Sequence, residues 1–187
     1  MQTFIVYVDN KPGVLSRVAS LFRRRAFNIE SLTVGRTEHE GLSRMTIVVD
    51  TDERGARLVQ ANLYKLLPVR QVQNVTRAGT IGRDLAMIKV AATGDARTQV
   101  MQLVDVYRGR VVDVSPEALI IETTGTEDKI DSLLEVLRPY GVTEMVRTGR
   151  IEMVRGASSA SRPAPSRGLG VGRTRSTAAQ TTGNLSV

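Results

Sequence analysis

Apolar residues along the chain alternate, then jump to a three-to-four spacing, and this switch recurs. Phe4, Val6 and Val8 alternate with Ile5 and Tyr7, which predicts a strand buried on at least one face. Val14, Leu15, Val18, Ala19 and Phe22 then recur at helical spacing, and Arg17, Arg23, Arg24 and Arg25 fall largely off that stripe. "FNIESLTVGRT" and "SRMTIVVD" predict two more strands around the polar turn "EHEG". Val59, Leu63, Leu66 and Leu67 predict a second helix ended by Pro68, and "VRQVQNVT" a last strand. The order is βαββαβ. It then repeats, with "DLAMIKVAA" as a strand and Val100, Leu103, Val104 and Tyr107 as a helical stripe. "GRVVDVS" and "ALIIETT" are strands around a turn at Pro116. Ile130, Leu133, Leu134 and Leu137 mark a helix, and "VTEMVRTGRIEMV" closes the unit.

This pattern predicts an α+β chain of two ferredoxin-like βαββαβ units. Its expected divisions are a first domain over 1–77, a linker over 78–83 and a second domain over 84–156. Residues 157–187 have no apolar periodicity and are rich in Ser, Ala, Gly, Thr and Arg, so a disordered basic tail is expected there. Apolar residues on both faces of a strand, such as Ile5 beside Phe4 and Val48 beside Ile47, predict that the second face or an edge is covered by another subunit.

Composition narrows the function classes. A hydrophobic content of 41% with 24% charged residues reads as a soluble globular protein. Without cysteine there is no disulfide, thiolate nucleophile or thiolate-bound metal. The start "MQTFIVYVDNKPG" lacks a basic, then long apolar, leader pattern, and no run reaches the roughly 18 apolar residues of a membrane span. The expected location is cytoplasmic, with no membrane partner. The net charge of +7 suggests nucleic acid until it is located: Arg162, Arg167, Arg173 and Arg175 put four of those charges in the tail. Aromatic residues make up only 4%, too few for a base-stacking sheet, so no nucleic-acid partner is expected.

Catalytic patterns are sparse. His39 lies in the turn "TEHEGLS" without partners at metal-ligand spacing and reads as an exposed loop residue. Asp9, Glu30 and Glu40 are scattered and read as surface or turn carboxylates. "GLGVGR" follows no strand and opens no helix, so it lacks the context of a dinucleotide loop. Arg23–Arg25 fit the C-terminal end of a helix, where cations complement its dipole. No catalytic residue and no metal site is assigned.

The corner "DNKPGV" between the first strand and first helix offers different chemistry. Pro12 sets φ where a helix begins, and Gly13 lets another group approach its backbone. The first-turn N–H groups of Gly13, Val14 and Leu15 attract an anion such as a carboxylate. Asn10 adds donor and acceptor capacity, which suits a zwitterion. By itself the corner reads first as an Asx-type turn or cap with a Pro-Gly helix start.

The stretch "DNKPGVLSRVASLFRRRAFNIESL" resembles the ACT domain, a ferredoxin-like regulatory module that binds amino acids. "GVLSRV" followed by "NIESLTVGRTE" and "GLSRMTIVV" resembles the small regulatory subunit of acetolactate synthase (acetohydroxyacid synthase). Weaker runs such as "RDLAMIKVAA", "YRGRVVDVSPEALIIETTGTEDKIDSLL" and "VRTGRIEMVRG" carry the resemblance to about residue 156. It implies a non-catalytic subunit in branched-chain amino-acid biosynthesis that activates a large catalytic subunit and confers feedback inhibition by valine or another branched-chain amino acid. It implies no cofactor in this chain, with thiamine diphosphate, Mg²⁺ and FAD in the catalytic partner. It also implies a homodimer through the ACT domains, with Asn10, Gly13 and Val14 of one chain and Asn28 and Ile29 of the other forming the valine site. A stand-alone amino-acid sensor controlling another enzyme is the alternative reading, and a nucleic-acid-binding βαββαβ sheet the third.

Overall fold

In the computed structural model, which describes residues 1–156, each change of hydrophobic period marks a change from strand to helix. The first domain runs β1 (Gln2–Asp9), α1 (Val14–Arg24), β2 (Ile29–Arg36), β3 (Leu42–Val49), α2 (Glu53–Leu63) and β4 (Val69–Asn74). The second runs β5 (Thr80–Ala91), α3 (Gly94–Val106), β6 (Arg110–Val114), β7 (Ala118–Gly125), α4 (Glu127–Leu137), a short 3₁₀ turn, β8 (Val142–Arg147) and β9 (Ile151–Val154). The antiparallel sheets have equivalent orders, β2-β3-β1-β4 and β6-β7-β5-β8, with β9 added alongside β5. Both domains therefore have the predicted ferredoxin-like α+β architecture. The expected disordered tail lies outside the described residues.

Each sheet buries one face against its helices. Phe4, Val6, Val8, Met45, Ile47 and Val49 meet Val14, Val18, Leu21 and Phe22 of α1 and Ala56, Val59 and Leu63 of α2. Leu15 and Ala19, expected on the buried stripe, lie outside it, because Leu21 completes the buried face instead. The Asp52 carboxylate accepts from the Gly55 N–H at 2.7 Å and caps α2. α2 ends at Leu63, earlier than Pro68 suggested: Leu66 still packs on the core, but Leu67 turns outward, 91% exposed. In the second domain Ala86, Ile88, Val90, Leu119 and Ile121 pack on Val100, Val104, Ile130, Leu133 and Leu137.

The second face of the first sheet is covered by this same chain, so of the two places expected for another subunit on this sheet the face is corrected and an edge is left. Residues 80–83, expected within a linker, are the first part of β5 and pair with β9, from Thr80↔Val154 to Arg83↔Ile151. "VTEMVRTGRIEMV", read as one strand, breaks at Thr148–Arg150 into β8 and β9. The β5–β9 ribbon and its approach segment lie over the first sheet. The Arg44 guanidinium donates to the Glu152 carbonyl, and the Arg150 N–H donates to Ser31 Oγ at 3.0 Å. Gly149 sits so close that a Cβ there would come within 2.9 Å of the Leu32 carbonyl. Ile5, on that face, is only 2% exposed. No helix among the described residues is long and apolar enough to cross a membrane.

Candidate functional site

The corner after β1 is fixed by its backbone. The Asp9 N–H donates to the Pro68 carbonyl and the Asn10 N–H to the Gly41 carbonyl, both at 2.8 Å. Asp9, expected as a turn carboxylate, is buried and accepts two hydrogen bonds from Arg70, at 2.6 and 3.0 Å. These hydrogen bonds raise the Arg70 pKa above its ordinary value, outweighing the opposing effect of desolvation, and the Asp9 charge adds to the rise. Lys11 Nζ lies 3.7 Å from the same carboxylate.

That frame presents the start of α1. Gly13 is the N-cap, at φ 79°, ψ −4°, so Pro12 precedes the cap instead of opening the helix. A left-handed φ at this position favours glycine. No side chain caps α1, and an added Cβ on Gly13 would have nothing within 4 Å among the described residues. Gly13 and Leu15 keep N–H groups without a hydrogen bond among the described residues, while the Val14 N–H makes a long 3.4 Å bond to the Lys11 carbonyl. Asn10 is exposed beside them. The arrangement is an open helix start with free donors and positive helix-dipole potential, suited to a carboxylate.

Asn28 and Ile29 lie at the opposite end of the sheet. β2 runs parallel to β1, since both are antiparallel to β3, and Ile29 pairs with Val49, which pairs with Gln2. The eight residues of β1 therefore separate Ile29 from the corner, about 24 Å. One chain does not bring the five expected site residues together. Ile29 packs partly against the first core, and the exposed Asn28 donates through Nδ2 to the Glu30 carboxylate. The pairing register shifts between Ile29 and Ser31, so Glu30 is an extra residue in a bulge, and Ser31 turns toward the Arg150 N–H. Glu30 was expected only as a surface carboxylate; its place two residues after Asn28, at a strand start, is the only local signal.

β2 is one edge of the first sheet, β4 being the other, and carries exposed Val34, while Leu15 is exposed on α1. His39 Nε2 lies 3.7 Å from Glu38 within its turn. Among the described residues, no group of three or more His, Cys, Asp or Glu side chains could hold a metal ion.

Residues 4–71 match the family profile described as the AHAS small subunit-like ACT domain, and residues 83–156 match that of the small subunit of acetolactate synthase. A probable acetolactate synthase small subunit of Archaeoglobus fulgidus is 49% identical over 154 residues, covering 82% of this chain and 96% of that one. The acetolactate synthase small subunit of Mycolicibacterium smegmatis is 46% identical over 154 residues, covering 82% and 91%. The crystal structure of the acetolactate synthase small subunit from Thermotoga maritima superposes with a TM-score of 0.78 at 39% identity, covering 83% of this chain and 97% of that one.

Proposed function

The chain belongs to the acetolactate synthase small-subunit family, and from that premise we propose that it is the non-catalytic regulatory chain of an acetolactate synthase, activating a large catalytic subunit and making it sensitive to valine. Catalysis belongs to the partner, together with its thiamine diphosphate, Mg²⁺ and FAD. The protein works in the cytoplasm, in branched-chain amino-acid biosynthesis. The division into regulatory and second domains falls between β4 and β5, with the ribbon crossing back over the first sheet.

The observation that carries the effector reading is the separation of two half-sites on one sheet. Asn10, Gly13 and Val14 stand at one end of β1 and β2, and Asn28 and Ile29 at the other. Antiparallel pairing of two β2 edges about a two-fold axis would bring Asn28 and Ile29 of a second copy beside Asn10 and Gly13 of the first. The effector's carboxylate would then take the α1 N-terminus. Its ammonium would face Asn28 Oδ1, left as an acceptor because Nδ2 donates to Glu30, and its branched side chain would lie on Ile29. Binding completes a site shared by two chains, so ligand free energy favours one dimer arrangement. Coupling of about 1–3 kcal/mol suffices for regulation.

Reconstitution with the large subunit of acetolactate synthase tests the proposal. Acetolactate formation should rise on adding this chain and fall again with valine. A chain that neither associates nor alters the rate would eliminate this reading in favour of a stand-alone sensor.

A further inference from the structure

Between the two domains lies a cavity of about 480 Å³, separate from the α1 corner, whose wall includes Glu30, Val48, Asp84, Glu127, Arg147 and Arg150. Its hydrogen bonding is unbalanced at one atom. Asp84, on β5, is 6% exposed. Arg147 directs Nε at 2.9 Å and Nη2 at 2.5 Å to Asp84 Oδ2 and gives Nη1 to Asp131 at 3.0 Å. Asp84 Oδ1 receives no hydrogen bond among the described residues; Arg150 Nε, 3.9 Å away, is too far to donate. Arg150 is itself drawn off by Glu127 and lies 3.7 Å from Glu152. The two arginines are thus occupied by carboxylates, while a buried anionic acceptor has no donor.

We propose that this cavity binds a small primary ammonium compound without a carboxylate, its –NH₃⁺ donating to Asp84 Oδ1 and its short apolar stem lying along Val48. An ammonium has three donors and no acceptor, so it can meet Asp84 and turn its remaining donors to Glu30 and Glu127. The wall also includes Met1, whose terminal ammonium lies 4.0 Å from Asp50, so three carboxylates face three cations; what selects an ammonium is Asp84 Oδ1, the buried acceptor that none of those cations reaches. A divalent metal ion requires several oxygen ligands, and Asp84 leaves one unclaimed. The site lies within one chain and uses neither Asn10 nor Gly13. Its one link to the valine reading is Glu30, which accepts from Asn28.

The test is a titration of the full ¹⁵N-labelled chain with isobutylamine, which is valine without its carboxylate, at near-neutral pH. Saturable amide shifts at Ser31, Thr148, Gly149 and Arg150 are expected, and tetramethylammonium, which has no N–H donor, should not produce them. The shifts should persist in a Gly13→Asp chain, in which valine produces none. Asp84→Asn should weaken isobutylamine binding about tenfold or more, because it removes a hydrogen bond to a charged group. That change also disturbs Arg147, so Glu127→Gln on the exposed surface of α4 is the second variant, with an expected weakening of about two- to fivefold. Absence of a saturable response in the wild-type chain at tens of millimolar amine would overturn the proposal and leave Asp84 Oδ1 to water. Undiminished binding in a folded Asp84→Asn chain would also overturn it.

Discussion

Gly13→Ala and Gly13→Asp both place a side chain on a left-handed backbone, which aspartate tolerates at least as well as alanine, and they differ in charge, so together they separate folding from effector binding. At φ 79° either side chain incurs about 1–2 kcal/mol of left-handed strain. Loss of glycine's freedom in the unfolded chain offsets about 0.4–1 kcal/mol of that. No collision adds to it, because the Cβ meets no atom within 4 Å. The net loss for alanine is about 1 kcal/mol, or a fall in melting temperature of about 2–4 °C for a chain of this size. Aspartate recovers about 0.3–1 kcal/mol from the α1 dipole and should melt at or above the alanine variant. Valine binding should follow the opposite order. The alanine methyl only takes up part of the open space in front of the α1 N–H groups. The aspartate places a like charge about 4 Å from the effector carboxylate, a repulsion of about 1 kcal/mol in water and about 4 kcal/mol near a protein surface. Affinity should fall at least about fivefold, and several hundredfold at the upper end. Thermal melts, calorimetric titration with valine and acetolactate formation in the reconstituted enzyme read the two orders. Association with the catalytic subunit should be retained. Wild-type valine affinity in Gly13→Asp would refute the site, and an aspartate variant melting well below the alanine one would refute the open-space argument.

Asn28→Ala removes an amide without adding a clash, so calorimetry should show valine binding weakened about three- to tenfold, and unchanged affinity would exclude Asn28 from the site. Arg70→Ala leaves the buried Asp9 with only Lys11 nearby, and urea unfolding should show a loss of about 2 kcal/mol with an unchanged m-value; a negligible loss would mean that this pair does not secure the corner. Burial raises the Glu152 pKa and Asp84 adds to the rise, against the lowering effects of Arg150, Arg44 and a hydrogen bond to Thr80. The native state therefore holds that proton more tightly than the unfolded chain, and stability falls as pH rises from the ordinary glutamate range through the raised value. Glu152→Gln should flatten this part of the pH–stability curve and melt higher at neutral pH, whereas parallel curves would exclude Glu152 as the source.

Periodicity revealed both βαββαβ units because each strand and helix buries one face locally. It did not reveal the ribbon. Arg44 meets the Glu152 carbonyl across 108 residues and Ser31 meets Arg150 across 119, and such contacts leave no mark on neighbouring positions. The one local clue to β9 was Gly149, a breaker between two alternating runs. For the same reason Ile5 and Val48 pointed to a covered face without identifying what covers it. The corner was legible because Pro12 fixes φ and Gly13 permits a sharp turn after a strand, although the left-handed cap at Gly13 was not, whereas the Asp9–Arg70 pair depends on β1 and β4 lying side by side. Asn28 and Ile29 carry no sign of their distance from Gly13; that follows from the parallel course of β1 and β2.

Strand β5 makes the two halves of this chain unequal units of inheritance. Its twelve residues, about 40 Å of extended backbone, belong to the second sheet along most of their length and to the roof of the first domain at their start. The rest of that roof comes from β9, the last described strand. An exchange of genetic material between β4 and β5 would therefore transmit a first domain stripped of its cover. A stop codon before Ile151 would damage the N-terminal domain although every residue of its own sheet were still made. The protein resembles two beads on a string in its sequence order, but within residues 1–156 neither bead can be cut away without uncovering the first.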